Sequence, residues 1–199
     1  MNYKNKKTNL HTEIKDLISI IKKINLSKKN INTIIEKIYQ TIKKGNKVFI
    51  CGNGGSAGEA QHLAAEFLVR LNPKVIRKPF PVITLAQDVS TLTAIGNDFN
   101  FKYIFSRNLQ ALAKKNDLLF VLSTSGNSKN IIEVLKKAKK MGITSLSFLG
   151  CGGGKARSLS DLSLIVPSRN VARIQECHLF LGHFILNEVE KNLINSDEV

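Results

Sequence analysis

An α/β fold, with a five-stranded parallel sheet, helices on both faces and two helices ahead of it, is predicted by three observations. Short apolar runs alternate with helical segments from residue 46 onward. The runs are apolar throughout, as expected of strands buried on both faces. Two amphipathic helical patterns precede them and stand outside the alternation.

The elements follow in order. Over 8–25, Leu10, Ile14, Leu17, Ile18, Ile21 and Ile24 recur at helical spacing. Ser27 is the expected N-cap of a second helix over 28–44, which sets Ile31, Ile34, Ile35, Ile38 and Ile42 on one face. Gly45 ends it. Residues 47–51, bounded by glycines, form the first strand, and 57–71 the helix after it. The second strand, 82–85, is entered through Pro79 and Pro81. Helical segments near 89–95 and 100–115 lead to the third strand at 117–122 and a helix over 128–141. Strands at 143–149 and 162–166 and a long helix over 170–194 complete the chain. The two leading helices need a partner for their apolar stripes, either the sheet layer or another subunit.

At 199 residues the chain suits one domain with a sizeable core. No apolar run approaches the roughly 20 residues that span a bilayer. Residues 1–7 are rich in Lys and Asn, and Lys15, Asp16, Lys22 and Lys23 interrupt the only stretch that could follow as an h-region. No signal peptide is therefore expected, and the expected compartment is the cytosol. Cys51, Cys151 and Cys177 fit neither a disulfide framework nor a CxxC zinc site; they are expected to be reduced and to pack as small apolar residues. The net charge of +15 admits three readings: compositional bias, attraction of a phosphorylated substrate, or nucleic acid. The last has no RNP-like aromatic pattern or zinc-finger spacing behind it, so neither nucleic acid nor a membrane is an expected partner.

Two strand-to-helix loops carry the chemistry. In an open parallel sheet, ligands bind outside the carboxyl ends of the strands. After the third strand comes Ser123-Thr124-Ser125-Gly126-Asn127-Ser128. Free N–H groups at a helix N-terminus attract phosphate, the hydroxyls add neutral donors, and Gly126 permits close backbone approach. The competing reading is an ordinary Ser-capped turn. After the first strand comes 51–58, CGNGGSAG. It lacks the dinucleotide spacing and the Walker lysine, and its glycines and short amide suit a small polyol or a structural turn.

His62 and Glu66 stand four apart on the helix after the first loop, facing one way. Gln175, Glu176, His178 and His183 lie on the last helix. The i,i+4 pair reads as a surface couple or as two donors of a divalent-metal site such as zinc. Gln175 and His183 are separated by about 12 Å along a helix axis. Either the helix bends to bring both to one small site or the site lies between subunits, which is the expectation here.

Taken in order, CGNGGSA, the helix with His62 and Glu66, AIGNDF at 94–99, LSTSGNS at 122–128 and ARIQE at 172–176 resemble the SIS-domain phosphoheptose isomerases over almost the whole chain. The resemblance implies a cytoplasmic homotetramer with active sites at subunit interfaces. It implies conversion of sedoheptulose 7-phosphate to D-glycero-D-manno-heptose 7-phosphate through an enediol, toward lipopolysaccharide core and related surface glycans. It implies substrate contacts from Asn53, Gly54, Gly55, Ser56, Glu66, Asn97, Asp98, Ser123, Thr124, Ser125, Ser128 and Gln175. One zinc ion per subunit would be held by His62, Glu66, Gln175 and His183, with Glu66 and His183 the catalytic pair. The chain then divides into a helical segment at 1–45, serving oligomerisation, and a SIS sugar-phosphate-binding domain at 46–199. The alternative is a non-enzymatic SIS protein that binds the DnaA replication initiator; such proteins lack the equivalents of Glu66 and His183, and both are present here.

Overall fold

The structure, a computed structural model, describes residues 9–24, 28–86 and 88–197. The expected cap Ser27 lies outside these residues. Five parallel strands form one sheet: β1 (Val48–Cys51), β2 (Val82–Thr84), β3 (Leu118–Ser123), β4 (Thr144–Leu149) and β5 (Leu162–Ile165), in the order β2-β1-β3-β4-β5. The helices are α1 (Leu10–Ile24), α2 (Lys28–Lys43), α3 (Gly55–Leu68), α4 (Val89–Asp98), α5 (Ile104–Leu112), α6 (Lys129–Met141), α7 (Ala156–Leu159) and α8 (Val171–Asp197). β1 sits between two parallel neighbours, with Val48 opposite both Val82 and Leu118. Strand order reverses between β1 and β3, and the loops after these two strands flank the crevice that the reversal opens.

The alternation of side chains along each strand divides the core in two. Val48, Ile50, Leu118, Phe120 and Leu122 join the isoleucines of α1 and α2 and the inner faces of α3 and α8. Phe49, Cys51, Leu119 and Val121 pack with α4 to α7 on the other face. α2 therefore buries its stripe, Ile31 to Ile42, against the sheet layer and α8. α1 does so only in part: Ile20 and Ile24 are buried, while Leu10, Ile14 and Ile18 are exposed.

Most boundaries agree with the sequence expectation to within two or three residues. α3 starts at Gly55 because positive-φ Gly54 (φ 55°) already turns the chain. The helical segment expected over 100–115 begins as a 3₁₀ turn, Phe101–Tyr103, and ends at Leu112. The 3₁₀ turn Cys151–Gly153 and the one-turn α7 had no signal, since a run of glycines carries no apolar period. Cys51 and Cys177 are buried thiols as expected, but Cys151 is exposed at φ 50°, on a turn where it packs no core. Among the described residues no helix is long and apolar enough to cross a membrane.

Candidate active site

Asn53 in the first loop and Asn130 on the first turn of α6 bridge the crevice. Their amides bond reciprocally, Asn53 Nδ2 to Asn130 Oδ1 at 2.9 Å and Asn130 Nδ2 to Asn53 Oδ1 at 2.8 Å. The amide of Asn53, expected on the substrate, thus holds the first loop to α6 with one N–H and one lone pair, and keeps one of each for a further partner. Asn130 is buried at the start of an amphipathic helix and had no signal of its own. Gly54 and Gly55 lead into α3. A methyl group at 55 would run into the amide of Gln175, so the glycine lets α8 approach the loop. Ser56 is buried on the first turn.

In the second loop, Ser123 Oγ accepts from Gly126 N at 3.1 Å and Ser125 Oγ from Asn127 N at 3.2 Å. These bonds fix both oxygens while leaving each hydroxyl proton free to donate. Ser128 occupies the N-cap of α6 without a side-chain capping bond, and Thr124 is half-buried. Gly126, at φ 63°, is needed for a different neighbour than expected: a Cβ there would collide with the Gly153 carbonyl of the 151–154 turn.

The catalytic candidates depend on how α3 meets α8. The two helices pack side by side and run the same way, so contacts recur turn by turn. Gln175 meets Gly55, His178 faces Glu59, and Gly182 meets Leu63. His183 meets His62, with Nε2 atoms 2.8 Å apart and rings nearly perpendicular at 71°. Glu66 Oε1 lies 3.7 Å from His62 Nε2. One donor atom from each of His62, Glu66 and His183 falls within 4.8 Å of the others. Two imidazole nitrogens this close cannot both carry a proton toward each other; they share one or turn their lone pairs to a cation. Burial lowers the His183 pKa, the charge of His62 lowers it further, and Glu66 opposes both. His183 is therefore neutral at pH 7, as a metal ligand must be.

Gln175 does not join this group within the chain. It stays against Gly55, about two turns upstream on an unbroken α8. Asn97 and Asp98 end α4, exposed and bonded to one another, Asn97 Nδ2 donating to Asp98 Oδ1 at 2.9 Å. Among the described residues neither forms a hydrogen bond or ion pair with the His/Glu/His group or the 123–128 loop.

Arg77 locks the far end of α3. Its guanidinium donates to the Glu66 carbonyl at 2.9 Å and the Phe67 carbonyl at 3.0 Å, stacks on Phe80 and pairs with Glu190 of α8. Both members of that ion pair are buried.

The layered sheet, with hydroxyl and glycine loops on either side of its reversal point, is that of a SIS domain, and the SIS-domain family model matches residues 13–150. The phosphoheptose isomerase of Clostridium acetobutylicum is 47% identical over 163 residues, 82% of each chain. That of Campylobacter concisus is 51% identical over 156 residues, 78% of this chain and 82% of the relative. Solved phosphoheptose isomerases from Francisella tularensis and Neisseria gonorrhoeae superpose with TM-scores of 0.87 and 0.85 at 30% and 33% identity. They cover 92% of this chain, which spans 96% and 97% of theirs. The chain belongs to the phosphoheptose isomerase family of SIS-domain proteins.

Proposed function

We propose that this chain is an aldose–ketose isomerase that converts sedoheptulose 7-phosphate to D-glycero-D-manno-heptose 7-phosphate, with Glu66 and His183 as its catalytic pair. The observation that carries the reading is the convergence of His62 and Glu66, on the helix that leaves the first loop, with His183 of α8 across the α3–α8 seam. Glu66 and His183 are also the positions that separate an isomerase from an initiator-binding relative.

The reaction moves one carbon-bound proton from C1 to C2 and one proton from the C1 oxygen to the C2 oxygen, through an enediol. Glu66 takes the carbon-bound proton and returns it to the neighbouring carbon. His183, neutral at pH 7, passes the proton between the oxygens. Two imidazoles and a carboxylate suit zinc; His62, Glu66 and His183 would hold it, and when bound it polarises the carbonyl and stabilises negative charge on oxygen. Gln175, against Gly55 in its own chain, would reach such a site as a fourth donor from a neighbouring subunit.

The hydroxyls of Ser123, Thr124, Ser125 and Ser128, with the free N–H groups of α6, receive the phosphate and so orient the distant reacting carbons. Gly54, Gly55 and Ser56 line the sugar beside them, with Asn97 and Asp98 contributing in an assembled tetramer. Support for that assembly is the apolar surface left exposed on α1 (Leu10, Ile14, Ile18) and on α8 (Phe180, Phe184). On this reading the 1–45 segment serves oligomerisation and the enzyme works in the cytosol, on the route to surface-glycan heptose.

The test is turnover of sedoheptulose 7-phosphate by purified, metal-analysed protein, followed by NMR. Conversion that falls on chelation and returns with zinc supports both the isomerase and the metal. Conversion untouched by thorough metal removal keeps the isomerase and discards the metal. No conversion by folded, zinc-supplied protein overturns the reading.

A further inference from the structure

Halfway along the α3–α8 seam, between the Gly55–Gln175 contact and the His62–His183 contact, stand Glu59 and His178. The reaction outlined above uses neither. Glu59 is 9% exposed and His178 fully buried. His178 Nδ1 lies 4.0 Å from Glu59 Oε2. Neither carboxyl oxygen nor either ring nitrogen has a hydrogen-bond partner among the described residues. Among the described residues, the Ser56 hydroxyl lies next to the carboxyl and the Leu149 carbonyl, at the end of β4, next to the imidazole. The ring also rests on Phe148, with centroids 5.8 Å apart. No lysine or arginine forms an ion pair with either group among the described residues.

A carboxylate or an imidazolium in such a place is uncompensated, and burying a lone charge costs far more than burying a neutral group. The state that satisfies both is neutral: a carboxylic acid facing an imidazole lone pair. Burial moves both groups that way, raising Glu59 to about 7 and lowering His178 to about 4. A carboxyl rotation of about 1 Å closes the gap to hydrogen-bonding length.

We propose that Glu59 and His178 form a neutral hydrogen-bonded pair, the carboxylic acid donating to imidazole Nδ1, which fixes the register of α3 on α8 and so positions His62, Glu66 and His183 beneath the sugar loop. Glu59 carries Ser56 one turn above it, and His178 abuts the end of β4, next to the phosphate-loop strand. The pair therefore ties the two loops to the cluster from within. Only its kinetic consequence rests on the isomerase reading.

The first measurement is NMR of the intact protein at pH 6, with 15N-labelled imidazoles and 13C-labelled carboxyls. The expected result is a neutral His178 with an unprotonated Nδ1 and a protonated Glu59. An ionised Glu59, or His178 protonated at Nδ1, overturns the pair whether or not the protein is an isomerase. Glu59→Gln keeps a donor for Nδ1 and should hold kcat within about twofold. Glu59→Met keeps the bulk without the donor and should lower kcat about tenfold, with KM changed less than about twofold and near-UV circular dichroism unchanged. Wild-type kcat in Glu59→Met overturns the positioning role. If that variant does not fold, the NMR result decides the pair, and a loss of kcat beyond about tenfold in a folded Glu59→Gln, which keeps the donor, overturns the positioning role.

Discussion

Replacing Gly182 with alanine should separate the stability of this protein from its chemistry. The new Cβ would lie 2.7 Å from each methyl of Leu63 and 3.2 Å from its Cγ. Carbon atoms prefer about 3.5–4.0 Å, so α3 and α8 must part by about 1 Å or Leu63 must leave its rotamer. Leu63 is 1% exposed in a closed core and has little room to turn. Overpacking of this kind costs about 1–3 kcal/mol, and the better helix propensity of alanine offsets about 1 kcal/mol of it. The net loss of roughly 0–2 kcal/mol lowers Tm by at most about 8 °C. Gly182 and Leu63, however, directly adjoin His183 and His62, whose nitrogens stand 2.8 Å apart across the same seam. A misplacement of about 1 Å there costs on the order of 10²-fold in rate. Competitive zinc titration, kcat and calorimetry on one preparation check the prediction. Metal affinity and kcat should fall far more than Tm, and Leu63→Ala should restore part of both in the double variant. Wild-type metal affinity and turnover in Gly182→Ala would refute the reasoning that the seam sets the site.

Three further outcomes are expected. Glu66→Gln preserves size and should lower turnover at least about 10²-fold while leaving Tm within a few degrees; full activity would sink the role given to Glu66. Arg77→Met strands Glu190 in a buried site and should cost about 3–5 kcal/mol, seen in urea unfolding, with Glu190→Gln recovering part in the double variant; an unchanged midpoint would mean the pair is solvated. The third outcome concerns pH. Glu59 rises from an ordinary 4.5 to about 7 on folding, so the unfolded chain releases that proton first and native stability falls as pH climbs through this window, by up to about 3 kcal/mol. Glu59→Gln removes the loss, so its stability relative to wild type should grow between pH 5 and pH 8. His178, lowered from 6.5 to about 4, costs stability in the opposite sense as pH falls through that range. It does so in both proteins, which leaves the difference to Glu59; a difference that does not vary with pH would discount the shift.

Much of the fold was legible because its signals are local. The isoleucine stripes of α1 and α2, the uniformly apolar strands and the hydroxyl loop at 123–128 are each written within a few residues, and periodicity and turn chemistry act over that range. The i,i+4 spacing of His62 and Glu66 likewise fixed a shared face before any packing was known. The 151–159 stretch was not legible, because its turns are shaped by backbone approach to Gly126 and not by a pattern of side chains.

What the chain determined by itself is the order of its elements and the chemical types offered at the carboxyl ends of β1 and β3. Tertiary structure alone decided which of those groups meet. Strand order set β1 beside β3, and only then could Asn53 find Asn130, 77 residues away. The packing of α3 along α8 assigned His183 to His62, Gln175 to Gly55 and His178 to Glu59. The spacing of residues on α8 could state how far apart Gln175 and His183 must be, but not which turn of another helix each would face. That pairing is fixed by where Leu63 can enter the notch at Gly182, a fit between two distant surfaces that exists only once the sheet has brought them together.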